Sequence, residues 1–406
     1  MSSRGYRLVA AILALGIGSS AAGRDDTWHL TGRGGDTDLG ETPVVVAIKT
    51  PIPDGAYALE TGTPGDSIAV TVFRDGDRRW LATILPGVPA AKPFSYTLKN
   101  QLVAHSSDPR GIRLRPDGRN LLVMLDEKLL SAYRTDVGNK PIFFPIIGPS
   151  GEPFTRAFPM ERIPGEDNDH PHQRSCWFTF GNVDGVDFWS EGEGTGKIRE
   201  TDRKLVVEGP VLGRLWTRND WIAPGDRKIC EDRRTVTFYR TKGSRIIDFE
   251  IEVDATAGPV TFRDTKEGMF GLRVASTMDV KKKTGGRITN ADGLTDDHAW
   301  GQPSPWVDYV GPVHGRMVGI AILNHPQSFR YPTTWHVRDY GLFAANPFGW
   351  HDFNKKNDKG DYTVPGGQSI RFGYRVILHE GDTATNRLPG LFQAYAKPPA
   401  IEVRND

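Results

Sequence analysis

Short β-branched and aromatic runs, each cut off by glycine or proline, constrain this chain more than any other feature. Residues 44–48 (Val-Val-Val-Ala-Ile), 68–73 (Ile-Ala-Val-Thr-Val-Phe) and 80–84 (Trp-Leu-Ala-Thr-Ile) are of strand length, and Asp75-Gly76-Asp77 supplies a turn. The pattern returns at 121–125, 236–239, 246–253, 317–323 and 369–378. With Gly 46 and Pro 29 among 406 residues, breaks are frequent enough to keep every element short. Helical character is confined to 388–396 and a short turn after Asp292-Gly293. Residues 280–288 read as a hairpin with Gly285-Gly286 in its turn and Lys281, Lys282 and Lys283 as a solvated tip. The expected fold is mainly β: a large antiparallel β-sandwich over 114–398, preceded by a small β-domain over 43–113. Residues 23–42 read as a polar linker and 399–406 as a tail.

Residues 1–22 read as a secretory signal. Arg4 and Arg7 form a basic start, 8–17 are apolar, and Ser20-Ala21-Ala22 offers small residues for cleavage. The apolar run is shorter than the roughly 20 residues that a bilayer demands, and no later stretch reaches that length. A periplasmic or secreted protein without membrane insertion is expected. Lys+Arg 51 against Asp+Glu 50 leaves a formal charge of +1, which argues against a nucleic-acid partner. Cys176 and Cys230 fit either a disulfide or two buried thiols.

The chemistry concentrates in one interval. Eight of ten tryptophans and seven of ten histidines lie between 170 and 351. Indole faces suit the C–H face of a sugar, while imidazoles, carboxylates and guanidiniums suit its hydroxyls; a tryptophan core with surface histidines is the plainer alternative. In Asp169-His170-Pro171-His172-Gln173-Arg174, an extended backbone would point His170, His172 and Arg174 to one side. Two imidazoles so spaced can serve as acid and base or share a divalent metal. In Asp264-Thr265-Lys266-Glu267, alternation would pair Asp264 with Lys266 and set Glu267 opposite, as a structural ion pair or as an activated base. In Thr334-Trp335-His336-Val337-Arg338, His336 and Arg338 share a face opposite Trp335 and Val337. Trp306-Val307-Asp308-Tyr309 and Asp187-Phe188-Trp189 repeat the mixture of acid and ring. A Gly-x-Ser-x-Gly elbow, a phosphate-binding Gly-x-x-x-x-Gly-Lys-[Ser/Thr] loop, His-Glu-x-x-His and a Rossmann fingerprint are all missing.

Taken in order, His-Pro-His-Gln-Arg-Ser-Cys-Trp-Phe-Thr-Phe-Gly-Asn-Val-Asp-Gly-Val-Asp-Phe-Trp (170–189), Asp-Thr-Lys-Glu-Gly-Met-Phe-Gly (264–271), Trp-Val-Asp-Tyr (306–309) and Trp-His-Val-Arg-Asp-Tyr-Gly-Leu-Phe-Ala-Ala-Asn-Pro-Phe-Gly (335–349) resemble a family of exported bacterial proteins of unknown function that carries the label "methane oxygenase PmoA-like". The resemblance covers residues 114 to 398, with Ser175-Cys176 where Gly-Leu is more usual. A membrane oxygenase subunit would need several spans, so the label misleads. The resemblance implies carbohydrate work and, for the fold, a sandwich of the mutarotase-like kind. The expected activity is cleavage of glycosidic bonds, by hydrolysis or elimination, without a cofactor. His172 and His336 are the expected acid and base, assisted by Asp264, Lys266 and Glu267. His170, Arg174, Trp177, Trp189, Trp306, Asp308, Trp335 and Arg338 are the expected substrate contacts. A non-catalytic glycan-binding module is the alternative, and a metal-dependent sugar isomerase or oxidoreductase using His170 and His172 is another.

Overall fold

The computed structural model describes residues 27–405 except 36, 37, 39, 64, 65, 100–109 and 355–358; the signal expected at 1–22 lies outside the described residues. Three large antiparallel sheets stack in layers, and Val260–Phe262 pairs with Tyr362–Val364 in a separate two-stranded ladder. The site sheet runs in the order Thr334–Val337, Leu342–Asn346, Gly268–Arg273, Cys176–Phe180, Ile142–Ile146, Lys128–Arg134, Asn120–Leu125, Ile112–Asp117. A middle sheet, also of eight strands, extends from Lys197–Val207 at one edge to Arg287–Asn290 at the other. The third, N-terminal sheet has seven strands. Among the described residues no helix is long and apolar enough to cross a membrane.

Period-two alternation builds the layers. Strand Cys176–Phe180 sends Cys176, Phe178 and Phe180 into the core shared with the middle sheet, where they meet Trp221, Phe249 and Phe372. Trp177 points to the opposite face. The middle sheet is apolar on both sides: Phe249 and Tyr374 face the site sheet, whereas Tyr239, Ile246, Trp306 and Ile377 pack with Phe73 and Ala82 of the N-terminal sheet. Helix Leu388–Ala396, expected from the sequence, inserts Leu388 and Phe392 into that second core. Cys176 and Cys230 are buried free thiols, so of the two readings the unpaired one holds.

Four expectations need correction. The linker over 23–42 contains strand Thr27–Arg33, in which Trp28 and Leu30 alternate inward, and the tail over 399–406 contains strand Ile401–Asn405. These two segments pair with each other in the N-terminal sheet, Leu30 opposite Val403. The small β-domain over 43–113 is thus incomplete without the far end of the chain, and Ile112–Asp117 belongs to the site sheet instead. The hairpin over 280–288 does not form: Val280–Lys282 is a single 3-10 turn, and Arg287–Asn290 pairs with Trp306–Val313.

Candidate functional site

The outward face of the site sheet carries the polar groups. Its floor is tryptophan. Trp177 lies flat over Gly271, where a side chain's first carbon would fall 2.8 Å from the indole ring, so this position needs glycine. Trp189 meets Trp177 edge-on at 5.5 Å, and the His172 ring lies 6.2 Å above Trp189. Both indoles are only 2% exposed. They support the site from beneath and are not platforms on which a sugar could stack, contrary to the expectation for Trp177 and Trp189.

The loop before strand Cys176–Phe180 is held by an unusual clamp. Two buried guanidiniums, Arg156 and Arg273, converge on Asp169 Oδ1 at 2.5 and 2.8 Å. Burial alone would raise the Asp169 carboxyl, but Arg273, the bond from His170 and Arg156 override it and hold it at about 2. Its other oxygen pairs with His170 Nδ1 at 2.7 Å. The Tyr340 ring stacks on His170 at 5.0 Å, with Arg273 over the same phenol. Residues 170–174 are therefore not extended. His170 has φ +45°, and the Gln173 amide donates to the His170 carbonyl, closing a turn. The turn still sets the His170 and His172 rings 5.8 Å apart.

His336 occupies strand Thr334–Val337 with only 3% exposure. Its Nδ1 lies 2.8 Å from the Lys266 carbonyl. A carbonyl can only accept, so the proton is fixed on Nδ1 and the Nε2 lone pair is left unbonded by any described residue. Burial, partly opposed by that carbonyl and reinforced by Arg338, pushes His336 down to about 3. Burial and then Lys140 push His172 down to about 4. Both imidazoles are neutral near pH 7 and serve as acceptors or neutral donors.

Residues 263–267 form a loop between strands Val260–Phe262 and Gly268–Arg273, so the expected alternation there does not occur. The Lys266 amide donates to Asp352 at 2.8 Å. Lys266 Nζ stands 3.6 Å from Glu267 Oε1, with both side chains partly exposed. Burial raises the Glu267 carboxyl above the ordinary range against the pull of Lys266. Asp264 is not with them: its carboxylate accepts the backbone amides of His351 and Gly360 and fixes the loop. Arg338 places its guanidinium 5.6 Å from Trp300 and 5.9 Å from Tyr340. The ring of Trp300 in turn lies 6.5 Å from His336.

The cluster thus gathers His170, His172, Lys266, Glu267, His336 and Arg338. Arg174 sits at its edge and donates bidentately to Glu191, Nε to Oε1 at 2.8 Å and Nη2 to Oε2 at 2.6 Å. Three expected contacts lie elsewhere. Trp306 packs in the core between the middle and N-terminal sheets. Asp308, on the same face of the same strand, is fully buried and pairs with His379 at 3.0 Å. Trp335 points into the other core and donates Nε1 to the Ser304 carbonyl, as its alternation with His336 required.

Sequence reasoning passed over Lys140, Tyr340 and Trp300 as site residues. Lys140 is wholly buried beneath His172, bonded to Glu191, Asn139 and the Trp189 carbonyl. Burial, opposed by Glu191, lowers it to about 8. Nothing local marks a lone lysine ahead of Pro141, whereas Tyr340 stood two residues beyond Arg338 in an already conspicuous run. Among the described residues no group of three or more His, Cys, Asp or Glu side chains is placed to hold a metal ion, so His170 and His172 gain no third ligand. Concavities of about 280 and 720 Å³ occur around Trp216 and beside residues 147–151, and neither is lined by a residue of this cluster. The cluster is marked by the displaced proton affinities of His172, His336 and Glu267, beside the ring and ion contacts that join its members, and not by hollow volume.

Residues 120–393 match a family of unknown function (DUF6807), a span that contains every member of the cluster. The chain belongs to that family. The N-terminal sheet lies largely outside the family's span, and the family's description carries no oxygenase label. Among curated proteins none matches. Solved structures that resemble the chain include a galactose mutarotase-like protein from Lactobacillus casei ATCC 334 (10% identity, TM-score 0.32, 66% of this chain and 100% of that one). A GH36 alpha-galactosidase, AgaB, from Geobacillus stearothermophilus has 12% identity and a TM-score of 0.37, over 67% of this chain and 41% of that one. A galactose mutarotase related enzyme from Lactobacillus acidophilus has 11% identity and a TM-score of 0.29, over 66% and 97%.

Proposed function

We propose that this member of the family is an exported carbohydrate-active enzyme, periplasmic or secreted, that cleaves glycosidic bonds as a hydrolase or lyase without a bound cofactor. One observation carries the reading. His336, its proton pinned to Nδ1 by the Lys266 carbonyl, keeps an unbonded Nε2, and the next residue along that loop is Glu267, whose carboxyl is shifted toward its protonated form. Two groups with proton affinities displaced in opposite directions suit an acid–base pair.

In this scheme His336 Nε2 takes a proton from water or from a sugar carbon, and Glu267 delivers one to the departing oxygen. Lys266 and Arg338 offset the negative charge that develops between them. Tyr340, Trp300, His170 and His172 supply ring faces and hydrogen bonds for a neutral polyol. Purified protein incubated with a panel of glycosides and 3-keto-glycosides, read by mass spectrometry, tests the proposal. Product from the wild type and none from His336→Gln, which keeps a donor for the Lys266 carbonyl but cannot relay a proton, is the expected result. Binding of glycans by both proteins with no product from either would replace the enzyme by a glycan-binding module.

A further inference from the structure

A groove of about 720 Å³ opens where three parts of the fold meet. These are the turn between strands Asn120–Leu125 and Lys128–Arg134, the segment 147–151, and the segment 240–245 that joins two strands of the middle sheet. Four cationic side chains line it, Lys128, Arg240, Lys242 and Arg245, against the single carboxylate of Asp126. In a chain of net charge +1 this is a strong local excess, and cations gathered so closely repel one another unless an anion lies among them.

The acids nearby are already spent. Asp126 accepts from the Gly111 amide at 2.7 Å and from Arg240 at 2.8 Å. Glu41 and Glu380 approach from outside the lining, and they accept the backbone amides of Lys242 and Ser150. Lys128 and Lys242 are exposed, with no ion-pair partner among the described residues. Leu129, 38% exposed, stands with Ile147 and Pro149 as an aliphatic wall. A guanidinium fork donates to carboxylate or sulfate oxygens in pairs, and an aliphatic wall packs against the C–H face of a ring. The volume falls in the range of about 300–1,000 Å³ typical of organic ligands and is far larger than a lone inorganic anion requires.

We propose that this groove is a second binding site, which takes an anionic oligosaccharide bearing carboxylate or sulfate groups. The saccharide half of the inference rests on the proposed function; the anionic half rests on the groove itself. Titration calorimetry of the full chain tests it with a heparin-type sulfated hexasaccharide, an oligogalacturonide, a neutral hexasaccharide and inorganic phosphate. At least one anionic oligosaccharide binds, more weakly as salt is added, and the neutral sugar and phosphate do not match it. The exposed-site double variant Lys128→Gln/Lys242→Gln lowers that affinity about tenfold or more, as loss of two charge-assisted contacts implies, while His336→Gln leaves it unchanged. Absence of binding by both anionic sugars, equal binding by the double variant, or phosphate binding as tightly as the sugars would overturn the inference. Binding is read without turnover, so a chain that binds here yet yields no product overturns only the proposed activity.

Discussion

Two buried polar sets in this molecule are treated in opposite ways. Between the sheets, the Asp232 carboxylate receives four donors: Asn219 Nδ2, Trp221 Nε1 and both arms of Arg234, at 2.7 to 2.8 Å. On the outward face of the site sheet, Trp177 Nε1, Trp189 Nε1, Trp300 Nε1 and Arg338 Nε are buried with no hydrogen-bond partner among the described residues. A saturated set of this kind stabilises the fold and has nothing left to offer a substrate. The unsaturated one costs stability and keeps its capacity for something else. The same contrast separates two histidines. Burial lowers His379, but the Asp308 carboxylate outweighs it and raises the group; His336 has only a carbonyl, and burial wins.

The largest effect belongs to the unsaturated side. His336→Gln should lower turnover about a hundred- to ten-thousandfold while leaving the urea midpoint near that of the parent; a collapse of stability instead would erase the distinction between the two sets. Asp232→Ala should do the reverse, costing about 3–5 kcal/mol in urea unfolding because Arg234 is left buried and unpaired, with whatever fraction remains folded retaining normal turnover.

Acidification sharpens the comparison further. An unfolded histidine titrates near 6.5, whereas His336 and His172 stay neutral down to about 3 and 4. Across that window the unfolded chain binds more protons, so stability falls as pH drops from about 6.5 toward 4. His379 has the opposite sign: its contribution is complete below about 6.5 and fades as pH rises through its raised folded value. Urea midpoints between pH 7.5 and 4.5 should therefore show a flatter acid limb in His336→Gln and a steeper loss in His379→Gln; equal slopes in the two would remove the electrostatic basis of the contrast. The smallest effect is expected at Trp306→Phe, which should leave turnover within about twofold, since that ring sits in a core away from the cluster.

Alternation made much of this visible beforehand. It placed several of the strands and the opposed faces of His336 and Trp335. It could not say that strand Trp306–Val313 keeps both faces away from the cluster, because both sides of the middle sheet are covered and a period of two is silent about what covers them. The turn at His170 was hidden for another reason. Its left-handed backbone is stabilised by Arg156 and Arg273, the latter more than a hundred residues further on. Lys140 was hidden likewise, since its partner Glu191 lies far along the chain.

The pairing of Thr27–Arg33 with Ile401–Asn405 joins segments far apart in the chain, so the earlier strand waits for the later one to be made. Until then its flank is open to any other extended segment, in the same molecule or a neighbouring one. A chain cut or halted ahead of residue 401 would present a ready template for strand exchange, and the integrity of the segment 401–405 becomes a safeguard against self-association.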